Sequence, residues 1–227
     1  MKFVATERHG EVSAHLVRPR GARCLLALAH GAGAGMRHPF LDAVADRLAA
    51  RGVATFRYQF PYMEAGRRRP DPARWLTATV RSAIAAARRT AGDLPLLAGG
   101  KSMGGRMTSL AHAAAPLPGV RGLVFLGFPL HPPRRPGTDR AAHLAAIDAP
   151  MLFVQGTRDA LARLDLIRRV VEDLPSAHLH VVDTADHGFR VLRRSGRTDD
   201  DAVDEIAGAV AEFCEPLVAA GKSPLAD

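Results

Sequence analysis

The sequence predicts an α/β fold in which a mostly parallel, doubly wound sheet carries helices on both faces. Short and almost continuous apolar runs recur along the chain, and segments with helical periodicity lie between them. A strand that is apolar at every position is buried on both faces, as in a parallel sheet that is covered by helices. The βαβα alternation of the two kinds of segment implies that the sheet is doubly wound.

Six apolar runs are predicted to be the buried strands. They comprise residues 24–29, 53–56, 94–98, 123–126, 151–154 and 179–182. Before the first run, residues 11–17 alternate polar and apolar side chains, which predicts a half-exposed edge strand or a hairpin. We therefore expect a buried parallel centre with a more polar strand beside it.

Five segments place apolar residues on one helical face. Their apolar positions are 41, 44, 45 and 48; 76, 80, 84 and 87; 103, 107, 110, 111 and 114; 164, 167, 171 and 174; and 203, 206, 210, 213 and 217. This spacing predicts amphipathic helices that each cover one side of the sheet.

Length and composition favour a folded globular protein. The chain has 227 residues, of which 47% are hydrophobic and 24% are charged. Single α/β domains commonly reach about 250 residues, so we expect one domain over residues 1–227. No apolar run approaches the ~18 residues of a membrane span, and early charged residues leave no signal-peptide core. We expect a cytoplasmic protein with no membrane partner, in which Cys24 and Cys214 are reduced and buried.

The basic charge does not by itself indicate a nucleic-acid partner. The chain has 31 Lys and Arg against 23 Asp and Glu, a net charge of +8. The excess is arginine scattered over the whole length, and no recognised nucleic-acid module accompanies it, so none is predicted as a partner. Residues 61–72 and 129–137 carry some of these arginines after strands, as candidate pocket walls or plain surface loops.

The most informative segment is residues 94–105 (LPLLAGGKSMGG), where a strand runs into Gly100-x-Ser102-x-Gly104 and then directly into a helix. This context is that of a nucleophile elbow, a sharp turn that strains the serine backbone and needs glycines for close packing. Ser102 is therefore the candidate nucleophile. The tripeptide Gly-Lys-Ser also occurs in phosphate-binding loops, which is an alternative interpretation of this segment. That motif, however, requires glycine at the position of Pro95.

A nucleophilic serine needs a base, and the base needs an acid that fixes its tautomer. His187 and Asp159 each follow a predicted strand, on the sheet edge where Ser102 is expected. Asp165 and Asp186 are rival acids, but Asp165 falls within the next helix and Asp186 adjoins the base. The predicted triad is therefore Ser102, Asp159 and His187.

The other histidines are given structural roles. His178 and His180 are expected to pack or to face solvent on a strand, and His112 and His143 fall in helical segments. No pair has a metal-binding spacing such as H-x-x-x-H. We therefore predict no metal and no cofactor.

The oxyanion hole is predicted to combine two backbone N–H groups, from Met103 after the nucleophile and from Ala32. Ala32 belongs to residues 30–35 (HGAGAG), a glycine-rich loop after the first buried strand. The competing interpretation is a dinucleotide fingerprint, but Met36 stands where its third glycine belongs.

Together these residues resemble the α/β-hydrolase superfamily over essentially the whole chain. The sequence is most similar to the small members without a lid near dienelactone hydrolase, especially poorly characterised bacterial hydrolases with residues 57–62 (RYQFPY) and 127–133 (GFPLHPP). The resemblance implies an α/β-hydrolase fold without a cap domain. Dienelactone hydrolases carry a nucleophilic cysteine where this chain has Ser102, so their substrate is not carried over.

The expected function is hydrolysis of an ester-type bond in a small-molecule substrate through a triad and an acyl-enzyme. The alternative is a binding or scaffold protein that retains the fold, since animal relatives of this branch are components of larger complexes. The sequence leaves the bond type (ester, thioester, lactone or amide) and the oligomeric state open.

Several further residues are candidates for the pocket. Phe60, Tyr62, Phe128 and His131 are candidate substrate-binding residues, although Phe60 and Phe128 are equally open to a core position. Lys101, beside the nucleophile, has two interpretations, as an attractor of anionic substrates or as a solvated or salt-bridged side chain.

Overall fold

The computed structural model describes residues 1–219, and an eight-stranded sheet lies at its centre. The strands are β1 (Lys2–Thr6), β2 (Gly10–Val17), β3 (Cys24–Ala29), β4 (Val53–Tyr58), β5 (Leu96–Lys101), β6 (Val120–Leu126), β7 (Met151–Gly156) and β8 (Ala177–Val182). Their order in the sheet is β1-β2-β4-β3-β5-β6-β7-β8. Pairing is antiparallel from β1 to β4 and parallel from β4 through β8, so the predicted, mostly parallel sheet is confirmed.

Helices cover both faces of this sheet, as predicted. They are α1 (Pro39–Ala50), α2 (Pro61–Glu64), α3 (Ala73–Ala91), α4 (Met103–Ala114), α5 (Leu164–Glu172) and α6 (Asp199–Ala219), with 3-10 turns at Asp139–Ala146 and Arg193–Ser195. The apolar faces of α1 and α6 pack on one side, and those of α3, α4 and α5 pack on the other. None of these helices, within the 219 described residues, is long and apolar enough to cross a membrane. Cys24 and Cys214 are both buried.

The strand predictions are correct in position, and one is wrong in burial. Residues 179–182 are expected to be buried on both faces, yet most of β8 is only partly buried. The reason is that β8 pairs with β7 alone and forms an edge of the sheet. His178 is exposed on this edge, and His180 Nε2 lies 2.8 Å from Glu205 Oε1 on α6.

The first strands form a hairpin, so the hairpin alternative for residues 11–17 is the correct one. β2 lies between β1 and β4, and its alternating burial places Val12 and Ala14 in the core. The edge position belongs to β1, a strand that the sequence analysis did not predict. Its pattern of exposed and buried residues, with Phe3 and Ala5 inside, carries the same alternation over only five residues.

This topology brings six loops to one edge of the sheet. The strands β3 to β8 all run parallel, so the loops after them leave at the carboxyl edge. In open α/β sheets this is the edge at which ligands bind. Ser102, Asp159 and His187 lie in three of these loops.

Candidate active site

Ser102 occupies a strained turn between β5 and α4. Its backbone has φ 50° and ψ −117°, a conformation that L-residues rarely adopt. Such a conformation costs about 1–3 kcal/mol and persists only where the surrounding structure enforces it. Part of that enforcement is the hydrogen bond from Ser102 N to Leu126 O, 3.0 Å, which ties the turn to β6. The turn directs the serine away from the sheet at the point where α4 begins.

The two glycines that flank Ser102 are required by close backbone packing. A Cβ on Gly104 would lie 2.6 Å from the carbonyl oxygens of both Ala29 and His30, and one on Gly100 would lie 2.7 Å from Ala29 O. Contacts this short with main-chain atoms would force the elbow away from the end of β3. The glycines therefore hold the nucleophile turn against the loop after β3, which includes Ala32.

His187 bridges Ser102 and Asp159. His187 Nε2 lies 2.9 Å from Ser102 Oγ, and His187 Nδ1 lies 2.7 Å from Asp159 Oδ2. The Asp159 side chain is fully buried, whereas the His187 side chain is 27% exposed to solvent. The serine is thus hydrogen-bonded to an imidazole whose other nitrogen faces a carboxylate, the arrangement that general-base activation requires.

Asp159 is held by two donors besides His187. Gln155 Nε2 donates to Oδ2, and the backbone N–H of Leu161 donates to Oδ1 at 2.7 Å. Both oxygens of the carboxylate are therefore satisfied, and its orientation toward His187 is fixed from two sides. The sequence analysis did not single out Gln155, which ends up four residues before Asp159 on β7 and fully buried.

The rival acids have other partners. Asp186 Oδ1 accepts from the backbone N–H groups of Gly188 and Arg190 at 2.7 and 3.0 Å, which closes the turn that carries His187. Asp165 lies in α5 and pairs with Arg163. Asp159 is therefore the acid that the structure brings to His187.

A second serine–histidine contact lies away from this edge. Ser109 Oγ is 2.7 Å from His143 Nε2, between α4 and the 3-10 turn after β6. Ser109 is fully buried, and burial, followed by the charge of Arg106, lowers the pKa of His143 to about 4. No carboxylate contacts His143 among the described residues. This contact therefore lacks both the access and the acid of a hydrolytic triad.

The backbone N–H groups of Met103 and Ala32, the predicted oxyanion donors, both belong to segments next to Ser102 or to its cavity. Met103 is the first residue of α4, where a helix N–H has no intrahelical acceptor. Ala32 is exposed in the loop after β3. Among the turn, loop and cap hydrogen bonds of the described residues, none is donated by the N–H of Ala32 or of Met103. The structure thus leaves both predicted oxyanion donors available beside Ser102.

The loop that carries Ala32, residues 30–36, is clamped by the segment after β4. Phe60 N donates to His30 Nε2 at 3.1 Å, Gly33 N donates to the Tyr62 hydroxyl at 3.1 Å, and Met36 N donates to Gln59 Oε1 at 2.8 Å. Arg57, almost fully buried, donates to Met36 O and pairs with Asp42 of α1. The hydrogen bonds of residues 57–62 therefore fix the conformation of residues 30–36, the predicted oxyanion loop.

His30 is locked as a neutral ring in this clamp. Its Nδ1 donates to Gly31 O at 2.7 Å, and its Nε2 accepts from Phe60 N. Because one nitrogen faces an acceptor and the other faces a donor, the ring can hold only one proton here. Burial accordingly lowers the pKa of His30 to about 4, although the bond to Gly31 opposes the shift.

None of the four predicted substrate-binding residues lines the cavity, so that prediction is wrong for Tyr62 and His131, whereas Phe60 and Phe128 take the core position that the sequence left equally open. Phe60, Tyr62 and Phe128 are fully buried, and His131 is 3% exposed. Phe60 and Tyr62 instead support residues 30–36, and Phe128 packs on other aromatic rings of the core. His131 Nε2 accepts from Arg163 N at 3.1 Å and so braces the chain beyond Asp159. The sequence pattern gave these aromatic residues no helical or strand period that would reveal their burial.

The cavity beside Ser102 has a volume of about 370 Å³ and mostly apolar walls. It is lined by Gly31, Ala32, Ala34, His38, Phe40, Leu41, Lys101, Ser102, Leu161, His187 and Gly188. Phe40 is stacked on Phe189, with ring centroids 5.4 Å apart. Neither arginine-bearing loop, 61–72 or 129–137, contributes to this lining, so of the two interpretations left open for them the cavity does not support the one as pocket walls.

No metal site is formed by the described part of the chain. Residues 1–219 contain no group of three or more His, Cys, Asp or Glu side chains that could hold a metal ion. The histidines are used instead in the contacts described above, at His30, His131, His143 and His187.

The sheet order, the strained serine after β5 and the histidine after β8 define an α/β-hydrolase fold without a separate cap among the described residues. Residues 22–215 match the alpha/beta hydrolase domain family, and the chain belongs to this family. The fold class and the family expected from the sequence are thereby confirmed.

Solved structures share this fold over almost the whole chain. A dienelactone hydrolase from Anabaena variabilis is 22% identical, with a TM-score of 0.72 and coverage of 94% of both chains. Est1E from Butyrivibrio proteoclasticus, solved with ferulic acid bound, is 17% identical, with a TM-score of 0.72 and coverage of 92% of this chain and 96% of that one. A serine hydrolase without a lid from Xanthomonas campestris is 17% identical, with a TM-score of 0.71 and coverage of 94% and 93%.

Proposed function

We propose that this protein is a serine hydrolase that cleaves carboxylic esters of small substrates through Ser102, His187 and Asp159. The observation that carries the proposal is the continuous hydrogen-bonded series from Ser102 Oγ through the His187 ring to the buried Asp159 carboxylate. It lies at the edge of a cavity with two available N–H groups beside the serine.

The first half of the reaction forms an acyl-enzyme. His187 Nε2 removes the hydroxyl proton of Ser102 while Oγ bonds to the substrate carbonyl carbon, whose oxygen takes the negative charge. The tetrahedral intermediate then collapses, and the alcohol leaves with the proton that His187 returns. Asp159 holds the ring and stabilises the imidazolium throughout.

The second half releases the acid. Water enters beside His187, whose ring remains partly exposed, and gives up a proton to Nε2 as its oxygen bonds to the acyl carbon. Collapse of this second intermediate breaks the bond to Ser102 Oγ, which recovers its proton from His187. The net reaction is ester plus water to acid plus alcohol.

The N–H groups of Met103 and Ala32 stabilise both oxyanions. Removal of one such donor in a serine hydrolase typically costs about 3 kcal/mol of transition-state stabilisation. Because residues 57–62 hold the oxyanion loop in place before substrate arrives, little reorganisation is needed during the reaction.

The cavity favours substrates with an uncharged, apolar group. Phe40, Leu41 and Leu161 are among the residues of its mostly apolar wall, and burying a carboxylate against such a surface without a partner is costly. Lys101 is the one lysine or arginine among the residues that line it, and its ammonium is already bonded to the backbone of His187. The esterase and dienelactone hydrolase folds that this chain resembles are consistent with ester chemistry.

The test compares two serine variants in hydrolysis of a short p-nitrophenyl ester. Ser102→Ala is expected to lower kcat by more than about 10⁴-fold, because it removes the nucleophile of a triad that acts as a unit. Ser109→Ala is the matched control, since it removes the other histidine-bonded hydroxyl, and it is expected to retain kcat within about threefold. Wild-type enzyme should also release a stoichiometric burst of nitrophenol.

Full activity in folded Ser102→Ala would exclude the proposed mechanism. A folded wild-type protein that hydrolyses no ester and shows no burst would favour the alternative, a binding protein that retains the hydrolase fold.

A further inference from the structure

Lys101 reaches from the nucleophile strand to the base. It is the last residue of β5 and directly precedes Ser102. Its Nζ donates to the main-chain oxygen of His187 at 2.6 Å, across 86 residues of sequence. Two adjacent residues, Lys101 and Ser102, therefore bind the same histidine, one through its backbone and the other through its ring.

An aromatic ring and two carboxylates lie near the Lys101 ammonium. Nζ lies 5.2 Å from the centroid of the Phe189 ring, two residues after the base, and the carboxylates of Asp159 and Asp186 lie near enough to act on its charge. A cation over an aromatic face gains electrostatic stabilisation from the ring. Lys101 thus contacts the histidine loop at two points and faces the acid of the triad.

Gly127, after β6, leaves the space in which these groups meet. A Cβ at Gly127 would lie 2.9 Å from Lys101 Nζ, 3.6 Å from Asp159 Oδ2 and 3.6 Å from His187 Cε1. One functional group from the end of β5 and two from the loops after β7 and β8 therefore converge around a residue without a side chain. Its φ of +66° also suits glycine.

Burial of the charged Lys101 ammonium costs free energy. Burial lowers the pKa of Lys101 to about 8, although Asp159 and Asp186 act in the opposite direction. An apolar residue of similar length would avoid that cost. Such a residue could not make the hydrogen bond to the main-chain oxygen of His187.

We propose that Lys101 is a positioning residue that fixes the main chain of His187, so that the imidazole stays within reach of both Ser102 and Asp159. The proposal rests on the proposed function, and it replaces both earlier interpretations of Lys101, as an attractor of anionic substrates and as a solvated side chain. A displacement of about 1 Å in a catalytic group can lower the rate by 10²-fold, so a single bond to the histidine backbone is sufficient to matter.

The experiment measures kcat and KM for Lys101→Met, with Lys2→Met on the exposed edge strand as the matched control. Lys101→Met is expected to lower kcat about 10- to 100-fold per active site, counted from the burst, with KM changed less than about threefold. The apolar wall that binds substrate is untouched, so KM should hold. Lys2→Met is expected to match wild type in both.

Two further readouts separate positioning from general stability. Lys101→Arg keeps a cationic donor that can rest on Phe189, and it is expected to recover most of the kcat lost in Lys101→Met. The far-downfield proton resonance of the His187 Nδ1–H bonded to Asp159 should be present in wild type and weakened in Lys101→Met. Should Lys101→Met fail to fold, Lys101→Gln takes its place in the comparison.

The outcomes are distinguishable from those of the proposed function. Absence of a burst in wild type would overturn the function itself. A wild-type burst together with unchanged kcat in folded Lys101→Met, or with equal losses in the Met and Arg variants, would overturn the positioning role.

Discussion

At the scale of single residues, the site depends on side chains whose orientation is fixed by hydrogen bonds to their neighbours. His30 holds one proton because Gly31 O accepts at Nδ1 and Phe60 N donates at Nε2. Asp159 receives three hydrogen bonds, from His187, Gln155 and Leu161. The bonds of His30 hold the loop that carries Ala32, and the bonds of Asp159 hold the carboxylate that orients His187. Both the oxyanion loop and the acid–base pair are therefore in place before substrate binds.

The protonation of buried histidines predicts how stability changes with pH. The pKa of His30 is lowered to about 4 and that of His143 to about 4, whereas both are near 6.5 in an unfolded chain. Between those values the unfolded state binds more protons than the native state, so the free energy of unfolding falls as pH falls from about 6.5 to 4. The fully buried His30 contributes up to about 1.4 kcal/mol per pH unit.

Urea unfolding at pH 7 and at pH 5 measures this effect. We expect a lower free energy of unfolding at pH 5 for wild type, and a smaller decrease for His143→Gln, which removes one of the titrating groups. Equal stability at the two pH values would contradict the neutral, buried state of these rings.

The residues that the sequence could identify are those with a local signature. Ser102 is marked by glycines on both sides, and Asp159 and His187 by their places just after strands. Gln155 carries no such mark, since a glutamine within a strand does not reveal that it will bond to the carboxylate four residues later. The role of Lys101 was left open because it depends on a contact across 86 residues. For Phe60 and Phe128 the sequence left cavity and core positions equally open, since a loop position does not reveal which of the two a side chain faces.

At the scale of elements, the segment after β4 is a support for the oxyanion loop. Residues 57–62 bond to residues 30–36 through Tyr62, Gln59, Phe60 and Arg57. The loop itself is rich in glycine and has no regular structure, so its shape depends on these bonds. We therefore expect changes in this segment to affect catalysis without any contact with substrate.

Tyr62→Phe tests this role, with Tyr58→Phe as its matched control. Tyr62→Phe removes the acceptor of Gly33 N and frees the loop beside Ala32, so we expect kcat to fall about tenfold with little change in KM. Tyr58 is also buried, but its hydroxyl lies near Thr108 of α4 rather than near Gly33, so loss of that hydroxyl should leave kcat within about twofold. Steady-state ester hydrolysis measures both, and equal effects of the two variants would contradict the clamp.

The sequence predicts a strand best when the strand has a partner on each side, because such a strand is buried and reads as a continuous apolar run. The central strands β3 to β7 have two partners each, and their apolar runs reflect this. At the edges, β8 was expected to be more buried than it is, and β1 was missed because five alternating residues give a weak signal. Strand order, and with it edge position, is a property of the whole sheet that no single segment encodes.

At the scale of the whole molecule, the two arginine-bearing loops lie outside the cavity wall, where, of the described residues, Lys101 is the one lysine or arginine that bears on the site. The net charge is +8, yet the arginine-bearing loops 61–72 and 129–137 are absent from the cavity wall among the described residues. Residues 67 and 69–72 line a separate surface depression. The charge is therefore not arranged to hold an anionic group next to Ser102.

Substrate preference tests this arrangement. We expect a neutral short-chain ester to show at least a tenfold higher kcat/KM than a matched ester with a carboxylate on its acyl group, because the cavity is apolar. Raising the salt concentration should change the neutral ester's kcat/KM by less than about twofold. A preference for the anionic ester that disappears in high salt would show instead that the arginine loops steer substrates to the site.

The most direct test of the central claim is covalent labelling with a fluorophosphonate followed by mass spectrometry of the peptides. The geometry at Ser102 predicts one adduct per chain on that residue in wild type, none in Ser102→Ala, and a rate strongly reduced in His187→Gln because the base is absent. No adduct on folded wild-type protein, or an adduct on Ser109 instead, would contradict the assignment of Ser102 as an activated nucleophile.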